Sequence, residues 1–395
     1  MSAAVADPTS TPLLTHEVGS LDKPGWRVKA YAGKKLDEKD LEEARTWGQR
    51  VGVEGYEELI SLLRQSPLTS REQKDQVKKW SSRYGLRMQE AAGLNAVYDG
   101  EQQRSEMYAW AVAHSNGFEW RGSVRAFDNK YYSKAAVTGP ISLKEAYHND
   151  EFAFLKDIAR SELKVPITGA YTIADWSFDE HYFQDHDMSH AHAERKAKRH
   201  AARRDFIIDV ARNMIRPNNE ALIGLGARWI QIDEPGGSTD PEELDLFAES
   251  FNESVAGLDA YFSTHLCFSD YNLFFPGIEA MTACRQFCVG FANYDSRELG
   301  VSDDARPGYA VIRKFRDLSY QPSLGIGVLD IHTDFIEPPE LVRDRILYSV
   351  EVFGDPARIQ VTPDCGLRTR SWDVAYQKLQ NMVQGTQLAK KELGL

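Results

Sequence analysis

The residues whose types and spacing can do chemistry lie mostly in the second half of the chain. His265 and Cys267 form a His-x-Cys pair in HLCFSDYN, and Cys365 stands far downstream in TPDCGLRTR. Residues two apart on a strand point to the same side, so His265 and Cys267 can reach one ion. Two thiols and an imidazole suit tetrahedral zinc. A buried cysteine with a hydrogen-bonded histidine is the alternative that spacing alone leaves open. Zinc held this way favours one reaction. A free thiol has a pKa of about 8.5, and coordination removes its proton outright. Two protein thiolates and a neutral imidazole already cancel the metal charge. A further, substrate thiolate therefore keeps excess negative charge and stays nucleophilic. The set points to sulfur alkylation rather than hydrolysis.

One conspicuous cluster is discounted. His181, His186, His190, His192 and His200 fall within a strongly charged stretch that reads as a helix start. Nothing there places two histidines at a strand end, so a solvated lid over the mouth of the fold is expected. Arg368 and Arg370 could meet an anion or simply cap their loop.

The elements that must position these groups alternate between short apolar runs and long helical stretches. Strand candidates are 13–19, 95–100, 134–139, 165–171, 228–233, 260–267, 286–293, 324–330 and 358–364, each with a helical region after it. Apolar strands joined by helical crossovers predict a parallel sheet covered on both faces. Eight or more such units predict a (β/α)8 TIM barrel. Nine candidates are one too many, and the sequence does not say which lies outside. No Gly-x-Gly-x-x-Gly follows the first strand, so an open dinucleotide-binding sheet has no support. Residues 20–93 read as a helical N-terminal insertion. Residues 1–12 are expected to be a disordered leader and 13–395 a single zinc-binding barrel domain.

Composition excludes several classes. The 395 residues carry a formal net charge of -12, with 42% hydrophobic and 27% charged residues. That is ordinary globular composition. An acidic chain argues against nucleic-acid binding, which needs clustered Lys and Arg. No window approaches a membrane span, and the N-terminus lacks the basic and apolar regions of a signal peptide. Four cysteines, Cys267, Cys284, Cys288 and Cys365, make no disulfide framework. A cytoplasmic protein with reduced thiols is expected.

The motifs THEVGS, IQIDEP, HLCFSDYN, GIGVLDIH and VTPDCGLRTRSW, in this order, resemble the catalytic barrel of cobalamin-independent methionine synthase. The resemblance implies zinc bound by His265, Cys267 and Cys365, and homocysteine as the thiol acceptor. It implies that Ser20 bonds the substrate carboxylate while Glu101 and Asp233 pair with its ammonium. A buried carboxylate without a cation is costly, although a helix cap or a structural ion pair would also account for each. It implies that His332 moves protons or positions the donor. Trp176 falls in the region that contacts the methyl donor, and serves equally well as a core aromatic. Family members usually add a glutamate to the zinc from the strand after the His-x-Cys pair. Here Gly290 stands at that place; either Cys288, two residues before it, substitutes as a ligand, or the site has three protein ligands and an open position for water or substrate. The departure brings in a runner-up, a zinc alkyltransferase acting on another thiol such as coenzyme M with epoxides. The chain has no room for the second, N-terminal barrel of full-length members, which helps hold a folate. That absence leads to the expectation of methylcobalamin, free or on a corrinoid-protein partner, as methyl donor, with methyltetrahydrofolate giving little product.

Overall fold

A computed structural model describes residues 7–125, 131–184, 192–238, 240–267 and 269–395. Seven parallel strands follow one another around a curled sheet: Ala96–Val97, Glu162–Thr168, Trp229–Asp233, Tyr261–Leu266, Gln286–Val289, Ser323–Gly327 and Ile359–Thr362. The first and last of these do not pair with each other. The segment 13–17 lies between them. The His16 N–H donates to the Val361 carbonyl on one side, and the Ala96 N–H donates to the Thr15 carbonyl on the other. Both bridges, Thr15 to Val361 and His16 to Ala96, are parallel. This segment is the eighth stave, and the sheet closes into the expected TIM barrel.

Side-chain alternation sorts the barrel interior from its helical shell. Leu14, Ala96, Trp229 and Tyr261, from four staves, meet in their own small buried cluster. Only the interior brings those strands together, so Trp229, Gln231 and Asp233 point inward. Ile230 and Ile232 join the large core under the helices. Above the apolar floor the interior is polar. Lys164, fully buried, contacts Gln231 Oε1 at 2.7 Å and His16 Nδ1 at 3.0 Å. Gln286 donates to Gln360 at 2.8 Å.

The surplus strand is 134–139. It belongs to Tyr131–Leu143, which pairs antiparallel with Ser115–Arg125 and parallel with Phe178–Asp179 outside the barrel. The partner strand Ser115–Arg125 was not expected. Its composition, SNGFEWRGSVR, mixes charged and apolar residues without clean alternation. Crossovers also differ from expectation. Only short 3-10 turns, Tyr271–Phe274 and Gly277–Ala280, follow the Tyr261–Leu266 strand among the described residues. The long connection after Gln286–Val289 is pinned instead by a buried ion pair network. Asp295 receives Arg306 at 2.6 Å and Arg345 at 3.0 Å.

The N-terminal insertion forms four helices: Gly25–Tyr31, Glu38–Arg50, Tyr56–Leu63 and Arg71–Ala92. Asp37 and Asp40 build a capping box at the start of the second. Trp47 packs edge-on against Trp372 and Tyr376 of the last helix, Trp372–Leu393. The insertion is thereby tied to the outer shell. Of the leader expected at 1–12, residues 7–12 are described and pack on the barrel through Thr9. Thr9 is buried and its hydroxyl donates to the Tyr261 hydroxyl. Among the described residues no helix is long and apolar enough to cross a membrane.

Candidate metal centre and thiol pocket

His265 and Cys267 close one strand, and Cys365 opens the loop after the Ile359–Thr362 strand. All are at the C-terminal edge, where barrel sites form. Their ligand atoms lie within 4.8 Å of one another. His265 Nε2 stands 3.4 Å from Cys365 Sγ, and the two sulfurs are 3.3 Å apart. A bonded disulfide would bring the sulfurs to about 2.05 Å. Around tetrahedral zinc, bond lengths of about 2.0–2.3 Å put donor atoms roughly 3.4–3.8 Å apart. The His265–Cys365 spacing falls in that range, and the two sulfurs stand slightly closer than the ion would hold them. His265 Nδ1 lies 3.2 Å from the Cys288 carbonyl oxygen. That oxygen accepts a hydrogen bond from Nδ1–H and leaves the Nε2 lone pair facing the thiols, the usual outer support of a metal-bound imidazole.

Cys288 does not join the group. Its sulfur is buried one level down, 3.5 Å from Gln286 Oε1, and burial pushes the thiol up to about 12. Gly290 is flanked by Asp364. A Cβ at 290 would stand 3.0 Å from the Asp364 Cβ and carbonyl oxygen. The Asp364 carboxylate accepts from the backbone N–H groups of Ala292 and Asn293 at 3.0 and 2.7 Å.

Asp233 pairs in register with His265 on the neighbouring strand. Its carboxylate accepts from Gln231 Nε2 at 2.7 Å, and burial pushes it up to about 7. Glu101 is half-buried in a loop whose backbone is unusual: φ is 60° at a residue that is not glycine. Such conformations cost about 1–3 kcal/mol and collect at functional sites. Glu101 raises the carboxyl pKa of Asp233 through its charge, so the two groups sense each other. Ser20 reaches the cysteine loop because residue 366 is glycine. A Cβ there would sit 2.7 Å from Ser20 Oγ.

The other expected residues lie at the same mouth but farther out. His332 follows the Ser323–Gly327 strand and is half exposed. Its hydrogen bond to Asp330, at 3.3 Å from Nδ1, raises its pKa. Trp176 ends the Ala170–Asp175 helix and packs against Tyr132 at 5.5 Å and Tyr108 at 6.1 Å, in an aromatic cluster under the hairpin. Of the histidine cluster, His186 and His190 lie outside the described residues. His181 stacks edge-on against Tyr182, and His200 stands 4.0 Å from Asp245.

A family model for the catalytic domain of cobalamin-independent synthase matches residues 57–388. The methionine synthase of Thermoplasma volcanium is 37% identical over 314 residues, covering 75% of this chain and 85% of that protein. That of Thermococcus kodakarensis is 34% identical over 390 residues, covering 96% and 94%. This chain belongs to the cobalamin-independent methionine synthase family. A B12-independent methionine synthase from Shewanella sp. W3-18-1, solved with selenomethionine, shares the fold: TM-score 0.72, 21% identity, 97% of this chain and 99% of that one.

Membership corrects the donor. The family is cobalamin-independent, so methylcobalamin is not its methyl donor, and the corrinoid-protein partner loses its basis. The error came from reading the donor off chain length. The Thermococcus relative is covered over 94% of its length, so a chain of this size is normal among these methionine synthases.

Sequence reasoning also missed residues. Glu234, beside Asp233, caps the Ala170–Asp175 helix by accepting from the Thr172 N–H at 2.8 Å and its hydroxyl at 2.6 Å. Glu17 and Lys164 form a buried pair, Nζ to Oε1 3.6 Å, and Glu17 shares a small cavity with Cys365. A lysine inside an apolar strand run, ELKVPIT, was the available signal.

Proposed function

We propose that this chain transfers a methyl group to the thiol of homocysteine, forming methionine, at a zinc ion held by His265, Cys267 and Cys365. The observation that carries the reading is the convergence of one imidazole nitrogen and two sulfurs within 4.8 Å at the barrel mouth. When bound, zinc would supply the Lewis acidity that turns the acceptor thiol into a thiolate. Cys267 and Cys365, as thiolates, offset the metal charge and so keep the acceptor sulfur nucleophilic. The Cys288 carbonyl holds His265 in the tautomer that ligation requires.

Asp233 and Glu101 bind the acceptor ammonium, and Ser20 bonds its carboxylate. Burial that raises Asp233 also makes an ammonium a favourable partner, because ion pairing restores what desolvation removed. His332, held by Asp330 near the rim, carries or receives a proton as the methyl group leaves its donor. Trp176 lines the donor side. The donor lies outside the corrinoid class. Coenzyme M, the acceptor of the runner-up reading, carries a sulfonate and calls for cations where this pocket places carboxylates.

The deciding experiment uses zinc-loaded protein with homocysteine and methyltetrahydrofolate, free of any corrinoid. One zinc per chain, proton release on homocysteine binding and methionine formation are expected. Protein that holds zinc yet neither releases a proton with homocysteine nor forms methionine would sink the proposal.

A further inference from the structure

Glu17 is 4% exposed, and neither of its carboxylate oxygens receives a hydrogen bond. Its one nearby cation, Lys164, stands 3.6 Å from Oε1. Lys164 donates to the Glu17 backbone carbonyl and to Gln231 Oε1, and its contact with His16 Nδ1 competes with that nitrogen's own bond to the Glu17 carbonyl at 2.8 Å; no hydrogen bond runs from it to the Glu17 carboxylate. The Glu17 carboxylate is therefore compensated by charge but not by hydrogen bonding, and a buried acceptor in that state is costly.

Glu17 also lines a small cavity together with Ser20 and Cys365. This cavity touches both a zinc-ligand candidate and the residue assigned to the acceptor carboxylate. Glu101 faces the same stretch of backbone: a Cβ on Gly19 would lie 3.2 Å from Glu101 Oε1. Glu17 and Asp233 each sense the charge of Glu101. Both thus lie within electrostatic reach of Glu101, the residue assigned to the acceptor ammonium. The charges of Arg104, Lys23 and Arg368 also reach Glu101. Arg104 is in a buried pair with Glu151, and Lys23 donates to the carbonyls of Arg104 and Ser105. What the Glu17 carboxylate lacks is a hydrogen-bond donor.

We propose that Glu17 is a third carboxylate of the ammonium pocket and sets a preference for an acceptor thiol bearing an amino group over the same thiol without one. The inference rests on the homocysteine reading above and goes beyond it by naming the residue and the discrimination. Burial, which pushes the Glu17 carboxyl up to about 7, makes the arriving ammonium the event that completes its ionisation. A site built to hydrogen-bond a substrate group rejects the analogue lacking it more strongly than an apolar pocket rejects a missing methylene.

The test measures binding of two thiols to zinc-loaded protein by calorimetry: homocysteine, and 4-mercaptobutyrate, which has the same skeleton without the amino group. Wild-type protein is expected to prefer homocysteine. In Glu17→Gln the homocysteine Kd should rise about tenfold to hundredfold, the span of a charged hydrogen bond. The 4-mercaptobutyrate Kd and the zinc content should stay as they were. Equal weakening for both thiols, or no weakening for homocysteine, overturns the inference. If Glu17→Gln does not fold, Glu17→Asp decides: it keeps the charge, shortens the reach, and should weaken homocysteine alone by severalfold. Zinc-loaded wild-type protein that binds neither thiol overturns the homocysteine reading, and this inference with it. Wild-type protein that binds both thiols equally overturns this inference alone.

Discussion

His265 turns one ring nitrogen to the neighbouring strand and the other to the loop after the Ile359–Thr362 strand. Nδ1 lies 3.2 Å from the Cys288 carbonyl oxygen, and Nε2 lies 3.4 Å from Cys365 Sγ. The register pairing of His265 with Cys288 makes the first contact. Cys288 therefore serves the candidate metal centre through its backbone, while its thiol faces the interior. A carbonyl accepts only from N–H, so the tautomer is set before any ion arrives.

Cys365→Ser should remove stoichiometric zinc. A neutral hydroxyl replaces a thiolate, and the two remaining donors no longer offset the metal charge. Even outer-shell partners change metal affinity by roughly 10–100-fold, so a lost ligand should exceed that. The fold should persist, because Cys365 is only partly buried at a loop start. Metal analysis together with a thermal melt checks this. Full zinc occupancy in the variant would remove Cys365 from the ligand set.

Asp233→Asn should weaken homocysteine use far more than zinc binding. Truncating one partner of a buried charged hydrogen bond costs about 2–5 kcal/mol, a loss in kcat/KM of roughly tenfold to several-thousandfold. The asparagine keeps the shape and can still accept from Gln231 Nε2. Steady-state kinetics beside a zinc assay separates the two roles. Unchanged kinetics would make Asp233 structural.

Asp99 should make the protein less stable as pH rises toward neutral. It is fully buried, accepts from Ser82 Oγ and the Glu101 N–H, and burial with the Glu151 charge pushes it up to about 7. The unfolded carboxyl releases its proton near 3.9. Between those values the native state holds a proton that the unfolded state does not. Raising the pH across that window therefore favours unfolding, by about 1.4 kcal/mol for each unit of raised pKa at most. Stability from this group is complete below pH 4 and gone above about 7. The Tm of Asp99→Asn should fall less than that of wild-type protein between pH 5 and 8. Parallel Tm profiles for the two proteins would show that Asp99 does not titrate in this range.

The convergence of His265, Cys267 and Cys365 was legible because strand periodicity and the barrel rule place chain-distant strand ends on one edge. His265, Cys267 and Cys365 need only that geometry to meet. The closing stave was legible as a short β-like run at 13–19, although Thr15, His16 and Glu17 at its centre are polar. The hairpin was not. Tyr131–Leu143 looks like a barrel strand because both kinds carry apolar alternation, and only its antiparallel partner distinguishes it. Glu17 was hidden for a different reason. A single acidic residue inside a strand run reads as solvent-facing, and its burial depends on Lys164 arriving from a strand far along the chain. The donor was misread because chain length carries no information about which methyl group is used.

Gly290→Glu should lower zinc affinity. The family resemblance puts a glutamate near this place, so restoring one invites the opposite expectation. The space is already taken. A Cβ at 290 would meet the Asp364 Cβ and carbonyl oxygen at 3.0 Å and its Cγ at 3.2 Å, closer than ordinary van der Waals contact. Asp364 cannot yield freely. Its carboxylate accepts the N–H groups of Ala292 and Asn293, and it is the residue immediately before Cys365. Inserting a side chain into such packing costs about 1–3 kcal/mol, and the relief route moves the loop that carries a ligand. The extra carboxylate would also add a second negative group beside a buried one. Competition with a chelator in wild-type and variant protein measures the result. Tighter zinc binding in Gly290→Glu would show instead that the Asp364 loop yields and that the centre accepts a fourth protein ligand.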